Sequence, residues 1–161
     1  MSYTNRLIGS VVSVSFMLVC TGNRVSIAQV AGAPPQCKVV SAKASEVTIT
    51  PPADELPMIV RSLSGIWEGT LGPDPLWLIV ETIEASKARV FYGGSVSVSG
   101  RSYRARPEAQ VSPEGKLQWE RSDIGKYSLA IAGDQQHVTG SFASSLGYGT
   151  SSISLTRCTL K

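Results

Sequence analysis

The chain has 161 residues, of which 42% are hydrophobic and 17% charged, a length that suits one domain rather than two. Its formal net charge is +3, but residues 1–28 hold two of the 15 basic residues and none of the 12 acidic ones. The rest of the chain is therefore nearly neutral, which gives no electrostatic basis for nucleic-acid binding.

The first 28 residues are predicted to be a cleaved secretory signal. Arg6 precedes an apolar stretch from Leu7 to Val19, and Ser26-Ile27-Ala28 has the small-x-small pattern of a cleavage site. The apolar stretch is shorter than the roughly 20 residues that a membrane-spanning helix needs. We expect a mature protein that begins near Gln29, is periplasmic or secreted, and has no stable membrane anchor.

Two other interpretations of this segment stay open. Ala31-Gly32-Ala33 also fits a cleavage site, although Pro34 would then follow the cut and make it a poor substrate. Cys20 would be acylated if the segment were a lipoprotein signal, but the bulky Val19 precedes it where that peptidase prefers small residues. Cleavage after Ala28 is therefore favoured.

Removal of the signal leaves two cysteines, Cys37 and Cys158. In an oxidising compartment such an even pair predicts one disulfide. The bond would close a loop that spans nearly the whole mature chain, and the chain-entropy model gives such a bond about 4 to 5 kcal/mol of stabilisation. Two buried, unpaired thiols are the alternative.

Residues 29–62 are predicted to lead into the main domain. Strand-like runs at Lys38–Ser41 and Glu46–Thr50 end at Pro51-Pro52, and Asp54 is placed to cap a short helix. Pro57 is tolerated in the first turn of that helix. Its apolar residues recur at helical spacing: Leu56, Ile59, Val60 and Leu63.

Residues 63–161 show strand-like runs separated by turn residues at short intervals, as an antiparallel meander requires. The runs are Trp67–Leu71, Leu76–Ile83, Ala88–Tyr92, Ser95–Ser99, Tyr103–Val111, Lys116–Glu120, Lys126–Ile131, His137–Phe142 and Ser151–Leu160. Most alternate apolar and polar residues, and Gly93-Gly94 reads as a turn. Strands of this kind close most simply into a single all-β, up-and-down antiparallel barrel of about eight strands.

The segment Gly65-Ile66-Trp67-Glu68-Gly69 resembles the opening strand of the calycin barrels, such as lipocalins and avidins, which begin with glycine-x-tryptophan. It is also similar to small exported bacterial domains with a glycine-tryptophan-glycine opener. Lipocalins commonly stack a last-strand arginine on the opening tryptophan, and Arg157 is the matching position here. The resemblance implies that Gly65, Trp67, Gly69 and Arg157 close the barrel. The second and third lipocalin motifs are not recognisable, so no ligand-binding residues are carried over.

No catalytic pattern is recognisable, and we expect neither an enzyme nor a bound cofactor or metal. The single histidine, His137, is predicted to lie on the solvent side of its strand, and a zinc site needs more ligands than it offers. The carboxylate pairs Glu81 with Glu84 and Glu68 with Asp74 are the nearest candidates for a glycosidase, but they look like solvated strand-end and turn residues.

One charge cluster is present, formed by Arg101, Arg104 and Arg106 with Tyr103 between them, and Arg104 and Arg106 share a strand face. This pair could attract an anionic glycan or lipid headgroup. The favoured interpretation is a solvated face whose charge is balanced by Glu108 and Glu120.

The leading functional hypothesis is a binding module whose interior holds a small apolar or amphipathic ligand. Four aromatic residues are the candidate lining: Trp77, Trp119, Tyr127 and Phe142. The alternative is a structural or interaction module whose core is filled, because a barrel of about eight strands can be packed or hollow. A cavity above about 300 Å³ would favour the ligand. The loop Ala143–Gly149 could form a lid at the barrel mouth, but an ordinary hairpin loop is the favoured interpretation. Any protein partner is unknown.

Overall fold

The structure is a computed structural model that describes residues 33–38 and 46–160. The predicted signal, residues 1–28, lies outside the described residues, and so does most of the run Lys38–Ser41. None of the described helices is long and apolar enough to span a membrane.

One helix and nine strands make up the described fold. The elements are α1 Met58–Arg61, β1 Gly65–Leu71, β2 Asp74–Ile83, β3 Lys87–Val96, β4 Arg101–Ala105, β5 Glu108–Val111, β6 Lys116–Arg121, β7 Gly125–Ile131, β8 His137–Ser144 and β9 Thr150–Cys158. All strand pairs are antiparallel, and β1 pairs with both β2 and β9. The result is a closed eight-stranded barrel with one extra strand, which confirms the predicted fold class.

The extra strand arises because the predicted strand Tyr103–Val111 is broken at Arg106-Pro107. Proline has no N–H to give to a strand ladder, so it interrupts the pairing here. Both pieces lie along the same edge of β3, with β5 beside Lys87–Arg89 and β4 beside Tyr92–Val96.

Only one of these two pieces continues the barrel wall. β5 pairs with β6 at Gln110 and Val111, whereas β4 pairs, among the described strands, with β3 alone. The barrel wall is therefore continuous where β5 pairs with β6. Toward the other end of these strands it is open, because β4 does not pair with the segment Trp119–Arg121 of β6. We call this opening the wall gap.

Gly93-Gly94 does not form the predicted turn, because β3 runs through both residues without a break. A side chain at Gly93 would collide with the Trp77 ring and the Tyr103 carbonyl, and one at Gly94 with the Pro75 carbonyl. These glycines permit close approach of neighbouring strands instead of reversing the chain.

The helix is a single turn, shorter than the sequence predicts, and it closes one end of the barrel. Pro57 is its N-cap, while Asp54 forms an exposed ion pair with Arg61 at 3.0 Å instead of capping. Val60 and Leu63 are fully buried in the barrel core, and Trp67 Nε1 donates a hydrogen bond to the Leu63 carbonyl at 3.0 Å. We call this the closed end and the opposite end the mouth.

Residues before the helix cover part of the outside of the barrel. Val47 and Ile49 pack against an outer cluster formed by Cys37, Ile66, Trp77, Ile79, Phe91 and Cys158. Strand β2 is consequently buried on both faces, with Leu76, Leu78 and Val80 on the interior side.

Candidate functional site

A cavity of about 610 Å³ opens at the mouth of the barrel. The strand ends and loops at that end supply its lining, because the mouth is where the β1–β2 and β6–β7 turns and the β3–β4 and β8–β9 loops meet. The side chains that line the mouth cavity are mainly apolar and aromatic, and two of them, Asp74 and Arg121, are charged. The lining residues are Leu71, Pro73, Asp74, Val96, Tyr103, Arg121, Ile124, Tyr127, Phe142, Tyr148 and Ser151.

The floor of the mouth cavity is a layer of packed rings. Tyr127 stacks on Trp119 with ring centroids 4.7 Å apart and planes 8° apart, and it contacts Phe142 at 4.7 Å. Tyr92 lies against both Trp119 and Tyr127, at 5.3 and 5.0 Å, and 6.3 Å from Tyr103. Such ring pairs add stabilisation beyond their buried area, so the floor is a fixed surface.

Below this aromatic layer the barrel is filled. Side chains from facing strands are buried together between the aromatic layer and the closed end. They belong to one core cluster, which includes Trp67, Leu117, Leu129, Val138 and Leu155. The mouth cavity thus lies above a layer of packed side chains.

The four candidate lining residues fall in different places. Tyr127 and Phe142 line the mouth cavity, and Trp119 lies directly beneath it. Trp77 does not face the interior: it belongs to the outer cluster and packs edge-on against Phe91 at 4.8 Å. The expectation of an interior Trp77 is therefore corrected. An uninterrupted apolar run such as Leu76–Val80 is typical of a strand buried on both faces, and that signal was present in the sequence.

The charged groups at the mouth are held by their neighbours. Arg121 donates two hydrogen bonds to Asp123, at 3.1 and 2.6 Å. The Asp123 carboxylate, followed by the Tyr92 hydroxyl, raises the pKa of Arg121. Asp74 accepts a hydrogen bond from the Ser97 N–H at 2.7 Å, and its interactions with Ser97 lower the pKa of Asp74. Arg121 is therefore paired with Asp123, and the Asp74 carboxylate, the other charged group of the lining, is held by Ser97.

The phenols at the mouth stay protonated near neutral pH. Burial raises the pKa of Tyr103 to about 12. Burial, followed by the neighbouring Tyr92, also raises the pKa of Tyr127. Both hydroxyls can therefore donate a hydrogen bond to a ligand.

Two loops at the mouth carry exposed apolar side chains. Val98, on the β3–β4 loop, is 98% exposed, and Tyr148 and Leu146, on the β8–β9 loop, are 85% and 62% exposed. Tyr148 lies in the predicted lid loop and lines the cavity. Large exposed apolar groups at one end of a domain are typical of a surface that meets a ligand or a partner.

The residues that the calycin resemblance singles out meet at the seam between β1 and β9. Trp67 pairs with Arg157 in register, and the Arg157 guanidinium lies 4.2 Å from the Trp67 ring centroid. A side chain at Gly65 would collide with the Arg157 guanidinium, and one at Gly69 with the Ser154 carbonyl. These four residues therefore belong to the seam between β1 and β9, and none of them lines the mouth cavity.

Arg157 also holds the end of the helix. Its guanidinium donates hydrogen bonds to the carbonyls of Ser62, Ser64 and Gln135, the last two at 2.9 and 3.2 Å. The cation thus joins β9 to α1 and to the β7–β8 turn.

The disulfide between Cys37 and Cys158 is present, as predicted. Cys37 N–H donates to the Thr159 carbonyl and Thr159 N–H to the Pro35 carbonyl, each at 2.9 Å. The bond and these hydrogen bonds attach residues 35–37 to the end of β9. Glu68 lies beside the two sulfurs, but the sulfurs are bonded to each other and so are not metal ligands.

The partners of the basic cluster differ from those predicted. Arg104 pairs with Glu46 at 3.2 Å and Arg106 with the buried Glu81 at 3.3 Å, whereas Glu108 pairs with Lys87. Arg106 also lies 4.1 Å from the Phe91 ring centroid. The cluster docks the segment before the helix onto the barrel, a contact that strand alternation alone could not reveal.

The remaining candidate groups are held by neighbours. His137 is exposed and lies 2.6 Å from Asp134. Of the carboxylates considered for hydrolysis, Glu68 accepts a hydrogen bond from Lys38 N–H at 2.8 Å, and Glu81 is paired as described above. The described residues give no convergent carboxylate pair in the mouth cavity, whose lining has one carboxylate, Asp74.

Comparison of the chain with protein-family models, with curated proteins and with solved structures finds no match. The eight-stranded antiparallel barrel is compatible with a calycin-like fold. Function must therefore be argued from the site itself.

Proposed function

We propose that this protein is an exported binding module that takes a small apolar or amphipathic ligand in the mouth cavity. The observation that carries the proposal is the cavity of about 610 Å³ with its mainly apolar and aromatic lining. Small-molecule sites are commonly clefts of about 300 to 1,000 Å³, lined by apolar and aromatic groups with a few placed polar ones.

The surroundings of the cavity suit a pre-formed site. The ring layer of Tyr92, Trp119 and Tyr127 supports the lining from below, and the filled core beneath it leaves no room for the floor to collapse. The ring layer is therefore already formed before a ligand enters, which lowers the cost of ordering the site. The filled closed half also limits the ligand to one that fits the mouth half.

Export is the second part of the proposal. It rests on the signal pattern that ends at Ser26-Ile27-Ala28 and on the Cys37–Cys158 disulfide, since disulfides form and persist in oxidising compartments. The mature chain would then begin at Gln29.

A fluorescence titration tests the ligand site. The probe is N-phenyl-1-naphthylamine, which is neutral and brightens in apolar surroundings. We expect saturable binding to the mature protein, and an Ile124→Glu variant should weaken it by about tenfold or more, because a carboxylate would enter the apolar lining. Val98→Glu is the matched control, since the same change at an exposed loop position should leave the affinity within about twofold.

Absence of saturable binding to the wild-type protein would contradict the proposal. A second candidate function, an interaction module, is favoured by the exposed Val98, Leu146 and Tyr148 at the loop tips. In that case the Val98→Glu change would alter association with a partner while the probe failed to bind at all.

A further inference from the structure

The mouth cavity has polar groups next to the wall gap. Trp119 is the first residue of β6 beyond its pairing with β5, which ends at Gln118. Tyr92 lies across the wall gap on β3, opposite Ala105 at the end of β4. Arg121 follows Trp119 by two positions on the same strand face and lines the cavity. Three inward-directed polar side chains therefore gather where the wall parts.

Two of these groups are buried without a hydrogen-bond partner among the described residues. Trp119 Nε1 and the Tyr92 hydroxyl are fully covered, in side chains that are 5% and 1% exposed. The Tyr92 hydroxyl is near enough to Arg121 and Tyr127 to contribute to the raised pKa of each, but it has hydrogen-bond geometry to neither. Burying a polar group in this way is unfavourable, and native structures rarely do so without a reason.

The chemistry of these groups defines the ligand group that would satisfy them. An indole N–H is a donor only, and the Tyr92 hydroxyl and the Arg121 guanidinium are donors as well. The complementary ligand group is therefore a hydrogen-bond acceptor.

The charge of the mouth decides between a neutral and an anionic acceptor. Arg121 is already bound by Asp123 through two hydrogen bonds, and the lining holds a further carboxylate, that of Asp74. A carboxylate ligand would have to compete with Asp123, whereas a neutral carbonyl would not. Leu71, on β1 across the barrel from the wall gap, supplies an apolar surface for the rest of the ligand.

We infer, on the basis of the proposed function, that the ligand is a neutral amphiphile whose carbonyl oxygen accepts hydrogen bonds from Trp119 Nε1 and the Tyr92 hydroxyl. Its apolar part fills the mouth cavity. The two donor atoms are covered in the unliganded protein. Entry of the carbonyl therefore requires the side chains that cover them to shift, among them Arg121, which interacts with the Tyr92 hydroxyl.

Three naphthalene probes of similar shape test this inference by isothermal titration calorimetry on the mature protein. They are 2-acetylnaphthalene, which has the carbonyl, 2-isopropenylnaphthalene, which lacks its oxygen, and 2-naphthoate, which is anionic. Tyr92→Phe removes one donor and Trp119→Phe the other. Trp77→Phe is the matched control, because Trp77 lies in the outer cluster.

We expect Tyr92→Phe and Trp119→Phe each to weaken 2-acetylnaphthalene binding by about three- to tenfold, the loss of one hydrogen bond. Each should leave 2-isopropenylnaphthalene within about twofold, and Trp77→Phe should change neither probe. In the wild-type protein 2-naphthoate should bind more weakly than the ketone.

The inference is overturned if the two variants leave ketone binding unchanged, weaken both neutral probes equally, or if 2-naphthoate binds most tightly. Those outcomes leave the proposed function standing. If none of the three probes binds the wild-type protein, the proposed function itself fails. Should Trp119→Phe not fold, Tyr92→Phe decides alone, because it removes a single oxygen atom.

Discussion

At the scale of single residues, Arg157 makes the most contacts that bear on the architecture. Its guanidinium lies over the Trp67 ring and donates to three backbone carbonyls, one of them at the end of α1. Burial lowers its pKa, but a guanidinium stays charged in a folded protein. Removing the side chain would leave the Ser62 and Ser64 carbonyls without this donor.

Replacing Arg157 by Ala should therefore lower the free energy of unfolding by about 2 to 4 kcal/mol, more than an ordinary surface change. In a Trp67→Phe background the same replacement should cost less, with a coupling energy of about 0.5 to 2 kcal/mol. Urea unfolding curves of the single and double variants measure both quantities.

Arg89→Ala is the matched control for that cycle, because Arg89 is an exposed strand residue and its loss should cost within about 0.5 kcal/mol. Additive effects of the Arg157 and Trp67 changes would contradict a direct contact between the two side chains.

The register of Trp67 and Arg157 could be anticipated from the sequence, because the first and last strands of a closed barrel are neighbours and alternation gives the face. The three carbonyl groups that accept hydrogen bonds from Arg157 could not be anticipated, because their positions depend on where the helix and the β7–β8 turn lie. Likewise the interior positions of Tyr127 and Phe142 follow from alternation. The apolar run Leu76–Val80 indicates a strand buried on both faces, but it could not show that Val47 and Ile49 cover the outer face at Trp77.

At the scale of elements, the segment before the helix is the part of the fold that sequence patterns describe least well. It has little regular structure of its own, and its position is fixed by long-range contacts: the disulfide, the Thr50 N–H bond to the Glu81 carbonyl at 2.8 Å, and the Arg104–Glu46 ion pair. Local periodicity carries no signal for contacts of this kind. Strands with clear alternation, such as β7, were predicted within a residue of their bounds.

Removing the disulfide should destabilise the protein without changing its fold. The bond closes a loop of 121 residues, for which the chain-entropy model gives about 4 to 5 kcal/mol, while the strand pairing that closes the barrel does not include it. We expect the Cys37→Ser/Cys158→Ser double variant to keep the wild-type far-ultraviolet circular dichroism spectrum and to unfold at lower urea.

The reduced wild-type protein should have the same spectrum and the same stability in urea as the double variant. This comparison separates the effect of losing the bond from the effect of the serine substitutions. Two thiols that react with an alkylating agent in denatured, unreduced protein would show that the bond is absent. Equal stability of the oxidised protein and the double variant would show that it contributes nothing.

At the scale of the whole molecule, the two ends of the barrel differ in how they are filled. The closed end is filled by side chains and held by α1, Arg157 and the strand seam, and the mouth end holds the open volume, the wall gap and the apolar loop tips. The all-β barrel class and most strands could be read from the turns and alternation. Two assignments were wrong, because Ser95–Ser99 is not a separate strand and Tyr103–Val111 is two strands. Which half of the barrel stays open could not be read in this way, because that depends on how the volumes of side chains from different strands add up.

Native mass spectrometry of the protein purified from its own source tests the central claim most directly, since it records the chain and anything it retains together. We predict a chain that begins at Gln29 with Cys37 and Cys158 bonded, accompanied by a species heavier by the mass of one small neutral molecule, and an Ile124→Glu variant that loses the heavier species. A protein that carries no small molecule from its source and binds none of the naphthalene probes would contradict the claim that the mouth cavity is a ligand site.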